Sequence, residues 1–600
     1  MRTEATMAAL FTTPKRNDTT AGTHVAEPDV RRRIGLAHGS WRRVTRRIVA
    51  GAVCALTVSS LLMPSVSLAA EWVKVGGNKY NTAASDEAGT WSWDGADDLK
   101  LNNYNGGEIQ AAGKLNVNYS GTNIVTAEWI ESINVSHGTN ENAELNIQDD
   151  ESGTLSVTST EDAILSTGNI NIDGAGSVNA TSTGFDAINA GGDLAIKGSG
   201  NVNATGASDG IRANGNITID DSGAVTARAT KDKGIGADKN LTIKGGGTVE
   251  ASSADGEALW SGGNINISDG SQVKASSEKD AAVEAKGSLA ATNASLNVNG
   301  VEYGVYAYKG ITLDHANVTV RASKGRYGGA NALFTHQDDI VVKNGSTVDA
   351  FAEGEVSAAF STRNDRPNEK GGHIYISDSV VKAIARYVEN GDGPIPYSEN
   401  QDGETRREPQ GENIGIIAQT SEGVTPAVIS IIRSKVTAEG DTAAIFARAM
   451  SADGKTIGTI KIENAAIQTP EGGKVIDYRK LRDGIYEAGQ AIGTGDATVD
   501  SLYIKAVAKS TTIAPPEVAK PEDPKPDETK PAESKPAESK QNPKPEGSKP
   551  TKAVAASTTK AKTTGVLAAT GDTSGAAIVA TVLAGTAAIA AGTMASRKRS

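Results

Sequence analysis

Cysteine is nearly missing: Cys54 stands alone in 600 residues. One cysteine closes no intramolecular disulfide and builds no thiolate zinc site. Aromatic residues make up only 4% of the chain. That scarcity suits a narrow interior of β-branched and small side chains. The six histidines are scattered. Basic residues number 60 against 72 acidic ones, for a net charge of −12. The expected leader through Ala69 carries ten Lys/Arg and four Asp/Glu, and the tail after Thr570 carries three Lys/Arg and one Asp. Without both, the net charge is −20. Such a surface argues against nucleic-acid or anionic-lipid partners and is compatible with cation binding.

Glycine, by contrast, is abundant at 67 residues, and the chain repeats itself. Gly168-Asn-Ile-Asn-Ile-Asp-Gly-Ala-Gly-Ser-Val-Asn-Ala180 is followed by Asp186-Ala-Ile-Asn-Ala190. The same line returns from Gly192, Gly215, Lys239 and Gly263. Its first apolar residue is Ile170, Leu194, Ile217, Leu241 and Ile265 in turn, a step of 23 or 24 residues. A fixed period in this range marks a solenoid. Each line holds three apolar pairs at spacing two: Ile170/Ile172, Val178/Ala180 and Ile188/Ala190. That spacing puts both members on one face of a strand. Gly, Asp and Ser separate the pairs, as turns require. Three strands per rung predict an all-β fold, a single-stranded right-handed parallel β-helix. A leucine-rich repeat has an overlapping period but wants a Leu-dense consensus, which is absent. Rungs would pair at about 4.8 Å, and only stacking neighbours would bury each rung's apolar side.

Residues 1–69 read as a secretory signal with a long basic leader. Arg31-Arg-Arg33, Arg42-Arg43 and Arg46-Arg47 precede the apolar run Ile48 to Met63, and Ser67-Leu-Ala69 places cleavage after Ala69 or Ala70. The alternative is a retained membrane anchor. Residues 70–144 are expected to form an N-terminal cap and the first irregular rungs. Trp72, Trp91, Trp93 and Trp129 would cover the open end, or else form a separate sugar-binding platform. Rungs are expected to begin near Gly107 and to be regular over 145–505.

Past Gly287 the pattern restarts at Leu289, Ile311, Ile340, Ile374, Ile429 and Ile460 with widening steps. The extra residues fall at 321–331, 361–371 and 386–413. Insertions in a solenoid gather on one side, often the working side. Thr498 to Ile504 reads as a closing strand.

Residues 510–565 are a disordered Pro/Lys/Glu stalk; Pro515 to Pro550 holds ten of the 19 prolines. No core forms from such a segment. In polyproline geometry it would span about 110 Å. Leu567-Ala568-Ala569-Thr570-Gly571 follows, then an apolar run at 576–594, expected to be a transmembrane helix, and a basic end at 596–600. This order over 567–600 resembles a Gram-positive cell-wall sorting signal. Ala568 replaces the usual proline, so the pentapeptide is similar to the Leu-Ala-x-Thr-Gly form read by sortases of high-GC species. The resemblance implies cleavage between Thr570 and Gly571 and a covalent link from Thr570 to peptidoglycan at the cell surface. A plain C-terminal membrane helix is the alternative.

Two columns of side chains carry candidate chemistry. The outward residue of the third strand reads Leu165, Asn189, Arg212, Gly236, Trp260, Glu284, Tyr306, Phe334, Phe360, Ile417, Phe446. Its second half is nearly all aromatic. Trp260, Tyr306, Phe334, Phe360 and Phe446 are expected to form a stacking strip for sugar rings, to be covered by the long insertions, or to meet another subunit. Tyr308 and Tyr375 are assigned to the same surface. The second column is Asp162, Asp186, Asp209, Lys233, Glu257. These acids are either turn formers or oxygen ligands for calcium.

The phrases at Asp186, Asp209 and Gly215 resemble repeats of a right-handed β-helix family of carbohydrate-binding domain proteins, over about 145–345. The resemblance implies a glycan-binding module for acidic plant polysaccharide, with Asp162, Asp186 and Asp209 as calcium ligands. Lys233 and Ala281 lack the family's acid.

The rival class is a β-helix lyase or hydrolase, which needs converging acids and bases. Asp149-Asp150, Asp220-Asp221 and Asp338-Asp339 are the candidates, each in a turn. No convergent cluster with an aromatic floor is legible, so a non-catalytic adhesin is the expectation. A passive spacer is the third class.

Overall fold

In the computed structural model the described residues are 69–516, apart from 129–130, 137–142, 150–151, 326–327, 367–370, 389–397, 400–404, 407–411, 483 and 496–505. The chain divides into two units, Met1–Ala519 and Lys520–Ser600, and every described residue lies in the first. The leader through 68, Trp129, Thr498–Ile504, the stalk, the pentapeptide Leu567, Ala568, Ala569, Thr570 and Gly571, and the run at 576–594 lie outside the described residues.

The described residues are all β, without a helix. Three stacked sheets wind around one interior, as in a parallel β-helix. The first has 16 strands and the second 15. The third runs from the hairpin Trp72–Val75/Asn78–Tyr80 to the hairpin Lys474–Arg482/Ile485–Gly493. One rung is Asn169–Asp173, Ser177–Ser182 and Ile188–Ala190. The first-sheet column Ile170, Leu194, Ile217, Leu241, Ile265, Leu289, Ile311, Ile340, Ile374, Ile429, Ile460 is in register throughout. All but Ile460 are at most 1% exposed. Each such side chain contributes about 1.5–3 kcal/mol on burial.

Register on the third sheet is set at a corner. The residue just before the inward apolar one is Ala163, Ala187, Gly210, Gly234, Ala258, Ala282, Gly304, Ala332, Ala359, Gly415 or Ala444, always small and buried. Space requires it: a Cβ on Gly210 would lie 2.7 Å from the Gly234 carbonyl oxygen of the next rung.

Both ends abandon parallel pairing. At the start, Ala84–Ser85, Trp91–Trp93 and Asp98–Asn102 form an antiparallel meander, with Trp91 opposite Leu101 and Trp93 opposite Leu99. Both tryptophans are buried, and Trp72 is half-buried with Lys79 Nζ 4.1 Å from its ring centroid. Asp98–Asn102 already pairs in parallel with Lys114–Ser120, ahead of Gly107. At the far end Ser510–Ala514 runs antiparallel to Lys435–Gly440 and Ala466–Thr469. These closures pair the last rungs of the second and third sheets, while the first sheet ends on Thr459–Glu463, which pairs on one side only; an open edge invites pairing with another chain.

Candidate functional site

Pairing on the third sheet fixes the outward column as Leu165, Asn189, Arg212, Gly236, Trp260, Glu284, Tyr306, Phe334, Ser361, Ile417, Phe446. Phe360 does not belong to it. It pairs with Leu333 and Ile416, points inward and is 0% exposed, so it is core and not a stacking residue. A one-residue slip flips a strand's faces. The small-before-large corner, Ala359 before Phe360, holds the true register and was readable in the sequence. Phe446 does face outward, but it is also 0% exposed. The C-terminal hairpin roofs it, with Tyr478 edge-on to its ring at 5.2 Å. It too is unavailable to a ligand.

Trp260, Tyr306 and Phe334 remain half-buried. Tyr303 joins them, a member that the spacing argument missed because it precedes the inward Val305. Its ring stacks on Tyr306 at 5.2 Å and lies 5.3 Å from Phe334, and Tyr306 lies 5.5 Å from Phe334. Burial holds the Tyr303 and Tyr306 phenols above their ordinary range. Beside them Tyr308 meets His336 at 5.2 Å and accepts a hydrogen bond from Arg366 at 2.5 Å. Lys233 lies across Gly236 toward Trp260, its Nζ 5.3 Å from the ring. A Cβ on Gly236 would sit 2.8 Å from Lys233 Cδ, so glycine makes this approach possible. Tyr375 stands elsewhere, facing outward on the first sheet.

The acidic column is a ladder of caps. Asp162 Oδ1 accepts the Asp186 amide at 2.9 Å, Asp186 Oδ1 the Asp209 amide at 2.9 Å, and Asp209 Oδ1 the Lys233 amide at 2.6 Å. Asn189 donates to the second oxygens of Asp162 and Asp186, at 3.0 Å each. Arg212 reaches Asp209 at 3.5 Å and Asp238 at 3.1 Å. Each acid thus serves the backbone of the next rung, the turn-forming role. Among the described residues, the acids whose ligand atoms converge as a metal site would need are Asp94, Asp97 and Asp98 in the cap, not these three.

Burial, and then the Asp186 charge, push Asp209 up to about 6. Burial and a hydrogen bond with Glu284 also raise Glu257, and burial raises Asp162 and Asp186. Folded pKa values above the unfolded ones place the stabilised state at low pH. The contribution of these acids to stability is fully present below about pH 4 and is lost as pH rises through about 6. Thermal unfolding midpoints should therefore drop between pH 5 and pH 8. Asp209→Asn with Glu257→Gln should flatten the profile, and an unchanged slope would show these acids to be solvated.

The acid pairs considered for catalysis do not meet. Asp149 accepts the Gly153 and Ala175 amides, Asp220 pairs with Lys244 at 2.8 Å, and Asp339 accepts the His373 amide at 2.9 Å. They stand in different rungs, and Asp150 lies outside the described residues. Comparison with known proteins gave no match to a family model, to a curated protein or to a solved structure.

Proposed function

We propose that this chain is an exported surface protein of a Gram-positive cell, a non-catalytic adhesin whose right-handed β-helix binds extended glycan. Cleavage at Ala69 or Ala70 frees the N-terminus. The Pro/Lys/Glu stalk then holds the β-helix away from the cell. A sortase acts on Leu567–Gly571 and leaves Thr570 joined to peptidoglycan, the run at 576–594 having held the precursor in the membrane. The observation that carries the binding role is the group Trp260, Tyr303, Tyr306 and Phe334. Its rings stay half-open while the rest of the column, from Ser361 to Phe446, is closed. Rings flanked by hydrogen-bonding groups suit sugar faces. Calcium at Asp162, Asp186 and Asp209 is the companion proposal; it requires the ion to displace Asn189 from the second oxygens of Asp162 and Asp186 while the backbone caps stay in place.

A glycan array probed with the full chain, with and without calcium, tests this reading. Binding should fall tenfold or more in Trp260→Ala and Tyr306→Ala and be indifferent to Phe360→Leu, which lies inside. No signal above background on any glycan would favour the passive spacer, and release of reducing or unsaturated ends would favour a lyase or hydrolase. Anchoring is read separately, by mass spectrometry of wall digests for Thr570 linked to a peptidoglycan fragment.

A further inference from the structure

The first sheet carries a second surface with a different chemistry. Its outward face over five rungs, from Asn169–Asp173 to Ile265–Ile267, forms a trough of about 650 Å³. Ligand clefts occupy roughly 300–1,000 Å³. The floor is Asn171, Ala195, Thr218, Thr242 and Asn266, one residue per rung in register. All are small or short, so the backbone surface itself is approachable.

One wall is an amide ladder. Asn169 Oδ1 accepts the Asp193 amide at 2.8 Å, Asp193 Oδ1 the Asn216 amide at 2.7 Å, Asn216 Oδ1 the Asn240 amide at 3.2 Å, and Asn240 Oδ1 the Asn264 amide at 2.9 Å. These bonds fix the wall's geometry before any ligand arrives. The other wall is Lys197 and Asp220, flanked in register by Asp173 and Lys244, so that the sign alternates along it. Its charges neutralise one another, with Lys244 Nζ 2.8 Å from Asp220. Beyond the trough the floor column continues through Ala290, Thr312 and Val341 to Tyr375, 36% exposed.

We infer that this trough binds an uncharged, hydroxyl-rich polymer, a neutral polysaccharide lying along the stack of rungs. Three exclusions lead there. Every strand of the floor is already paired on both sides, so an extended peptide finds no backbone partner of the kind strand addition needs. The walls offer no net positive field, so nucleic acid and acidic polymers have nothing to neutralise. The lining has no apolar expanse to seat a lipid or an aromatic ligand. What remains is a face of Asn amides and Thr hydroxyls, with the Asp193 carboxylate among them, stepping at about 4.8 Å per rung. The site rests on the reading of the chain as a glycan binder, but on a different face and for a neutral rather than an acidic chain.

Calorimetry of the full chain with cellohexaose, xylohexaose, mannohexaose and maltohexaose tests it, with hexagalacturonate as the charged comparison. At least one neutral hexasaccharide should bind, and Thr242→Arg should weaken it tenfold or more. Asn266→Ala should weaken it three- to tenfold, with an unchanged melting profile as the folding control, and Lys274→Ala, outward on the second sheet, should leave it intact. Binding lost in Trp260→Ala yet kept in Thr242→Arg overturns the trough while leaving the aromatic face standing as the glycan site. Binding of hexagalacturonate alone overturns the neutral assignment. No binding of any of the five overturns the trough, and the glycan array then decides the wider reading.

Discussion

Replacing Arg448 with alanine lowers the unfolding free energy by about 3–5 kcal/mol. Arg448 lies on the outward side of the third sheet yet is only 6% exposed. Its Nη1 lies 3.2 Å from both Glu412 oxygens and 3.7 Å from Glu487, and its Nη2 donates to Gln419 at 2.5 Å. Its guanidinium also stands 5.6 Å from the Phe446 ring centroid. Glu487 belongs to the C-terminal hairpin, while Glu412 ends the long insertion. Arg448 therefore ties the residue just before Asn413–Thr420 to the hairpin strand Ile485–Gly493, which pairs with Arg448's own strand. Removing it strands two carboxylates away from water, which costs more than the pair ever contributed. Urea unfolding should show the loss, and limited proteolysis should cut first within Lys474–Arg482. Arg448→Met combined with Glu412→Gln and Glu487→Gln should recover most of it. A cost below about 1 kcal/mol, the range of exposed ion pairs, would mean that the tie is hydrated and the roof over Phe446 is loose.

Ile243→Ala should cost about 2–5 kcal/mol. The side chain is 1% exposed and sits between Ile219 and Ile267 on neighbouring rungs. Deleting its outer carbons leaves a cavity that stiff neighbouring rungs cannot fill. The damage should also be local, because each rung contacts only its neighbours. Amide exchange should accelerate around Ile219 and Ile267 and stay slow around Val73 and Ile429. Thr242→Ala, one residue away on the outward face, should stay within about 0.5 kcal/mol. Equal losses at 242 and 243 would contradict the inside–outside assignment.

The repeat made most of this fold readable, because spacing two and a step of 23 or 24 residues leave few other ways to bury Ile170, Val178 and Ile188 together. Apolar columns, cap tryptophans and the widening rungs all follow from side-chain size and turn chemistry. Phe360 shows where such reading fails. After Tyr306 and Phe334, an aromatic residue suggested itself as the next outward member, but register belongs to the tight corner at Ala359. Phe446 fails differently. Its outward direction was legible, but the roof over it comes from a hairpin with no repeat to announce it. The trough on the first sheet is not legible in the sequence because Asn, Thr and Ala on an outward face look like ordinary solvent-facing residues. Only their alignment rung over rung makes them a surface. In the acidic column, the residue types fit both a calcium ligand and a turn former. The cap bonds from Asp162, Asp186 and Asp209 to the next rung's amide appear only in three dimensions.

The stacked winding itself is open to one direct distance measurement. Thr218 and Tyr375 share a column on the first sheet, six register steps apart. Spin labels on Thr218→Cys and Tyr375→Cys, in a Cys54→Ser background, should report a narrow distribution centred near 29 Å, six rungs at about 4.8 Å each. A broad distribution, or a centre beyond about 50 Å, far outside what six rungs can span, would contradict it.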